Sequence, residues 1–180
     1  MPALVFRQAL SAEAGPVAVL INRAYRGDAS RLGWTTEADL LDGLRTSDDE
    51  IAGLIASNQA MILLCLRDDN LLGSVCLEHK ADYVHLGMFV VEPAQQNRGV
   101  GKQLLAYAEQ AAQQQWQAQK MMMAVITHRH ELIAFYERRG YRRTGIYRKF
   151  PVSPEMWQPK VQGLQLEILE KPLLTPSRVA

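Results

Sequence analysis

Apolar positions along the chain change period several times, and each change marks an element. Residues 4–7 read as a short strand. Ser11 caps a helix running to about Tyr25, with Val17, Leu20, Ile21 and Ala24 on one face. Thr36 caps a second helical stretch over 37–45, and Asp48 or Asp49 starts a third through Ile51, Leu54 and Ile55. The uninterrupted apolar run at 61–66 predicts a buried strand. Asp68-Asp69-Asn70 turns the chain into 71–78, its hairpin partner. A second turn at Lys80-Ala81-Asp82 leads into a third strand of this meander, 83–91.

Pro93 ends that strand, and the texture changes. A glycine-containing loop precedes a helix over 99–117, whose apolar positions Val100, Leu104, Ala108, Ala111 and Trp116 follow a period near 3.6. A buried strand follows at 121–126, then a helix over 131–139 that Gly140 ends as its C′ residue. Residues 142–147 and 165–170 read as the last strands. The stretch 150–161, with three prolines and no periodicity, reads as a loop, and 172–180 as a frayed tail. The order is β-α-α-α, a β-meander, then helices and strands in alternation. It predicts an α/β (α+β) domain, a mixed sheet covered by helices.

Length and charge narrow the function. The 180 residues suit one domain over 1–180. With 48% hydrophobic residues, 22% charged and a formal net charge of +1, nothing provides the basic footprint of a nucleic-acid or anionic-membrane partner. No apolar run approaches the ~20 residues of a membrane span. The first ten residues lack the charged start and apolar core of a signal peptide, so a cytoplasmic location is expected. Cys65 and Cys76 each sit in an apolar segment and read as small core residues. His128 and His130 have no Cys or carboxylate cluster near them in sequence, so no metal is expected.

The informative segment is 88–102: a strand, a sharp turn with Gly99 and Gly101, and the start of an amphipathic helix. A helix N-terminus offers unpaired N–H groups and about half a positive charge, and glycines let the backbone approach a phosphate. A Walker A loop would need Gly at 96 and Ser or Thr at 103, and both are glutamine. A dinucleotide fingerprint would need Gly at 104, which is leucine. Gln96-Asn97-Arg98-Gly99-Val100-Gly101 instead matches Q/R-x-x-G-x-G/A. On this motif, residues 83–143 resemble the acetyl-CoA core of the GNAT superfamily of N-acetyltransferases, and the element order over 4–170 is similar to that fold. The resemblance implies a mostly antiparallel sheet of six to seven strands, splayed at the cofactor strand. It implies that Gln96, Asn97, Arg98, Gly99, Val100, Gly101 and Lys102 hold the pyrophosphate of acetyl-CoA. It also implies that backbone groups of Phe89, Val90 and Val91 pair with the pantetheine arm like an added strand.

A second motif, 127–141, resembles N-x-x-A-x-x-[FL]-Y-x-x-x-G-[FY] of the same family through Ala134, Phe135, Tyr136, Gly140 and Tyr141. The asparagine position is Arg129 here. The resemblance makes Tyr136 the general acid. A phenol, of pKa near ~10, can hydrogen-bond to a departing thiolate, whose thiol has a pKa of ~8.5, and share its proton.

An amine acceptor of pKa ~10.4 is neutral in only roughly 1 of 2,500 molecules at pH 7, so a base is needed. Many relatives carry a glutamate on the strand after the long helix, but 121–126 has no carboxylate. Glu78, His79 and His85 on the meander, with Glu37 and Asp39, remain candidates; Glu78 and His85 lead. Acceptor recognition in the family comes from the early helices and the loop before the last strand. Those segments hold Trp34, Glu37, Asp39, Glu155 and Trp157, a set suited to a cationic amine. Residues 33–41 resemble a bacterial branch of the superfamily. The expected activity is transfer of acetyl from acetyl-CoA to the primary amine of a small molecule or peptide, in a ternary complex, by a monomer or homodimer. The alternative is a non-catalytic acyl-CoA-binding module.

Overall fold

The computed structural model describes residues 3–174. A seven-stranded sheet runs through it. Four strands precede the cleft: β1 (Val5–Gln8), β3 (Ala60–Arg67), β4 (Asn70–His79) and β5 (Val84–Val91), each antiparallel to the next. Three follow it: β6 (Lys120–Ile126), β9 (Gln165–Pro172) and β7 (Arg142–Lys149), again antiparallel. The two halves meet where β5 and β6 run parallel. The mixed, mostly antiparallel sheet expected from the pattern is therefore present, flanked by four helices: α1 (Ala14–Tyr25), α2 (Asp48–Ala56), α3 (Val100–Trp116) and α4 (His130–Glu137).

The core lies on both faces of the sheet. In β3, Met61, Leu63 and Cys65 pack toward α3 and α4, while Ile62, Leu64 and Leu66 pack toward α1 and α2. That two-sided burial is why the segment is a continuous apolar run. Both cysteines are buried and unpaired, and burial pushes their thiols up to about 11 and about 12.

Three local expectations are corrected. Ser11 does not cap α1: Ser11–Glu13 form a 3₁₀ turn, and the Leu10 N–H donates instead to Glu13 Oε2 at 2.8 Å. Residues 37–45 are not a helix. Thr36 Oγ1 accepts from the Ala38 N–H at 3.0 Å and closes a single turn, after which β2 (Leu41–Gly43) begins. The loop over 150–161 contains its partner, β8 (Trp157–Pro159), antiparallel to β2. Pairing across more than a hundred residues overrides the helical pattern, and Gly43, at φ +93°, suits the strand end rather than a helix interior. The tail expectation is partly outside the described residues, which end at 174. Pro172 closes β9, and Leu173 is buried, its N–H donating to Gln119 O at 2.7 Å.

Candidate active site

The sheet opens at β5. Only Val84 and His85 pair with β6, opposite Met121 and Met122. Beyond them β5 turns away, and the cause is a bulge. The β4–β5 register slips between Ser74 and Cys76, and Met88 takes φ +45°. Before the bulge Val84 and Leu86 face α3 and α4; after it Met88 and Val90 face the opposite layer, and Phe89 and Val91 replace them. One extra residue thus exchanges the two faces of the strand and bends it out of the ladder. The backbone of Met88–Val91 is left with an edge that β6 does not cover, an open side to which an extended chain can add.

Where β5 ends, a turn feeds α3. Asn97 and Gly99 occupy the left-handed region, at φ +63° and +78°. The first bond into the helix is Gln103 N–H to Gly99 O, so the amides of Val100, Gly101 and Lys102 lack helical acceptors. Gly101 and Lys102, but not the buried Val100, line a cavity of about 630 Å³ together with Phe89, Val91, Trp34 and Phe135. Its charged walls are Lys102, Arg129, Arg138 and Arg139 against Glu131, an excess suited to a polyphosphate. A Cβ at Gly101 would stand 3.5–3.7 Å from Val91, Phe89 and Phe135, so any longer side chain there enters the cavity. Unpaired amides, cationic walls and an open strand edge together fit the phosphates and extended arm of coenzyme A.

Gln96 lines this cavity and also shapes its end. Its Oε1 accepts from the Trp34 N–H at 2.9 Å and its Nε2 donates to Val91 O at 3.2 Å. It ties the loop after α1 to the end of β5. A Cβ at Gly33 would run into the Gln96 amide group, so Gln96 would have to shift to admit one.

Through the cleft lies a second cavity of about 240 Å³, walled by β5, β6, the end of α1 and β8. Phe89, Arg129 and Leu132 border both cavities. Tyr136, 4% exposed, lines the second. Phe135 and Tyr141 pack edge-on against its ring, and burial holds its phenol well above the ordinary value. His85 lines the same cavity, with Nδ1 3.7 Å from Glu78 Oε1, directly across the β4–β5 pair. Burial lowers the His85 pKa, and the Glu78 carboxylate opposes that shift. Glu78 itself stands behind His85, not on the cavity wall, and also pairs with Lys80 at 2.9 Å.

The five residues read from the sequence as acceptor contacts are dispersed. Glu37 and Trp157 line the second cavity. Trp34 instead lines the first cavity, its ring 5.6 Å from Phe135. Asp39 is exposed and pairs with Arg31 at 2.8 Å, and Glu155 is exposed; neither borders a cavity. Arg98 borders neither cavity. Glu37 is buried at 5% exposure, and its oxygens meet Arg26 at 3.3 Å and Arg129 at 3.0 Å. Arg129 also donates to Thr35 Oγ1 at 2.7 Å, so it links the start of α4 to the loop before β2. Tyr25, Arg26 and Arg45 complete the wall and were not legible as site residues. They follow no motif, and only the path of the chain after α1 brings them to β5.

The Acetyltransferase (GNAT) family model matches residues 20–141. No curated protein matches the chain. Among solved structures, the ribosomal-protein-S18-alanine N-acetyltransferase of Escherichia coli superimposes with a TM-score of 0.70 at 13% identity, covering 99% of each chain. An N-acetyltransferase of Staphylococcus aureus Mu50 gives 0.71 at 12% identity, covering 96% of this chain and 99% of its own. The protein yncA of Salmonella typhimurium, solved with its cofactor acetyl-CoA, gives 0.67 at 17%, covering 97% and 96%. At these identities the likeness is one of fold, and the family model carries the assignment: the chain belongs to the GNAT family of acetyltransferases.

Proposed function

We propose that the protein transfers the acetyl group of acetyl-CoA to a primary amine by direct attack within a ternary complex. The observation that carries this reading is the cleft at the β5–β6 divergence, with an anion-binding helix start at one mouth and a separate cavity holding Tyr136 and His85 at the other. The amides of Gly101 and Lys102 hold the pyrophosphate, and the open edge of Met88–Val91 orients the arm so that its thioester points through the cleft. The amine enters from the second cavity. Its nitrogen forms a bond to the thioester carbon, the carbon–sulfur bond breaks, and the electron pair leaves on sulfur.

Two protons must move. His85, neutral at pH 7 because burial lowers its pKa, accepts the proton lost by the amine, directly or through water, and Glu78 behind it steadies the imidazolium. Tyr136, kept protonated by its burial, donates a hydrogen bond to the departing thiolate. Its hydroxyl has no hydrogen-bond partner among the described residues, so it is free for a ligand.

The test combines calorimetry with CoA and thiol release from acetyl-CoA in the presence of an amine panel. Binding with turnover on an amine supports the reading. Tight CoA binding with no thiol release from any amine would instead favour the acyl-CoA-binding module, and no CoA binding at all would sink both.

A further inference from the structure

The charges of the second cavity do not balance. Arg26, Arg45 and Arg129 line it, with Glu37 as the carboxylate. Glu37 is already divided between Arg26 and Arg129. The side chains of those two arginines are 3% and 11% exposed, so water screens them little. Arg129 Nε is buried without an acceptor among the described residues. Arg45 has no carboxylate partner among them either; its guanidinium rests over the Tyr25 ring, 5.6 Å from the centroid. Burying an excess of cations is unfavourable unless an anion arrives. The remaining wall is apolar, formed by Met123, Ile126, Leu166 and Trp157.

From this imbalance we infer that the acceptor is a small primary amine carrying a carboxylate, an amino acid in the chemical sense. The inference rests on the acetyl-transfer reading above and names the substrate class of that site. The acid end pairs with Arg45, in the positive field of Arg26 and Arg129. The body lies on the apolar wall, and the amine points to the cleft. A cavity of about 240 Å³ is of the size for a single amino acid. Polyamines are disfavoured because every further ammonium group meets the arginines. The same arginines assist the chemistry: nearby positive charge lowers the pKa of the ammonium and raises the fraction of neutral, nucleophilic amine. This reverses the expectation of a cationic acceptor held by Glu37, since that carboxylate is already paired.

Thiol release from acetyl-CoA, measured on the full-length chain, tests it with matched sets: an α-amino acid, its carboxamide and its decarboxylated amine, with spermidine as the polycation. The acid is expected to exceed both of its neutral-ended partners at least tenfold in kcat/KM, even though a carboxamide has the more readily deprotonated amine. Arg45→Gln should raise KM for the acid at least tenfold and change KM for acetyl-CoA less than twofold, and Arg45→Lys should restore part of the loss. If Arg45→Gln fails to fold, the wild-type comparison decides alone. Equal rates on acids and carboxamides, or a preference for spermidine, would overturn the carboxylate class and leave acetyl transfer standing. Absence of thiol release from every amine, with CoA binding intact, would overturn both.

Discussion

Tyr136 and Glu37 illustrate two ways a single residue can sit in this site. Tyr136 is held by rings on two sides while its hydroxyl stays unpaired, so removing the oxygen subtracts chemistry and little packing. Tyr136→Phe should lower kcat by about 10²-fold, near the lower end for acid–base assistance, with CoA affinity and melting temperature nearly unchanged. Steady-state kinetics beside calorimetry separates this from a structural role, in which melting would shift and kcat would not. Glu37 is the opposite case. Its carboxylate is the anion between two buried guanidinium groups, so Glu37→Gln leaves both short of a partner. Breaking a buried ion pair from one side is destabilising by about 3 kcal/mol or more. Denaturant unfolding should show a loss of that size, with the acceptor KM rising as a consequence of a disturbed wall.

At the scale of elements, the two ends of the cleft depend on different pieces of backbone and should fail separately. The start of α3 supplies the cofactor end. Gly101→Asp places a carboxylate beside the amides of Val100 and Lys102 and inside the cavity, which repels a pyrophosphate. CoA affinity measured by calorimetry should fall at least tenfold while the fold persists, since an acidic residue in a first helical turn is otherwise favourable. The β2–β8 pair supplies part of the wall of the second cavity, proposed for the acceptor, because it carries Trp157. Gly43 has φ +93°, and a Cβ there would run into the Met156 carbonyl oxygen, a backbone atom that cannot step aside. Gly43→Ala should therefore displace β8, raise the acceptor KM several-fold and leave the acetyl-CoA KM close to its original value. Equal effects on both constants would mean that the two ends are not independent.

For the molecule as a whole, the response to acid can be read from two of the three carboxyl and imidazole groups with lowered pKa values among the described residues, the third being the exposed Asp39 beside Arg31. Arg7 hydrogen-bonds Glu13 and holds its carboxyl down at about 2, against about 4.5 when free. Burial lowers the His85 pKa below its ordinary value of 6.5. A depressed pKa means that the folded state binds the proton more weakly than the unfolded chain. Each contribution is thus present in full above the unfolded pKa and is lost as pH falls through the folded one. Melting temperature should decline first below about pH 6.5 from His85, then between about pH 4.5 and 2 from Glu13. The second decline should shrink in Glu13→Gln and the first in His85→Gln.

Much of this architecture is local and was legible in the chain. The apolar run of β3, the Asp68-Asp69-Asn70 turn, the period of α3 and the glycines that open it are set by side-chain burial and backbone sterics acting over a few residues, so they can be read residue by residue. The turn that opens α3 belongs to that class, because unpaired amides at a helix start need nothing distant. The bulge at Met88 does not. Residues 88–91 are apolar at every position, so no alternation reveals that the strand changes faces, and the slip exists only in the pairing with β4. The same holds for β2 and β8, which are strands because they pair with each other. The wall of the second cavity is assembled from the end of α1, the loop after β2, β6 and β8, and its charge is a sum over residues far apart in sequence. Local sterics and periodicity determined the elements and the cofactor turn. Long-range pairing and the burial of charge decided the cleft and the charge of its second cavity.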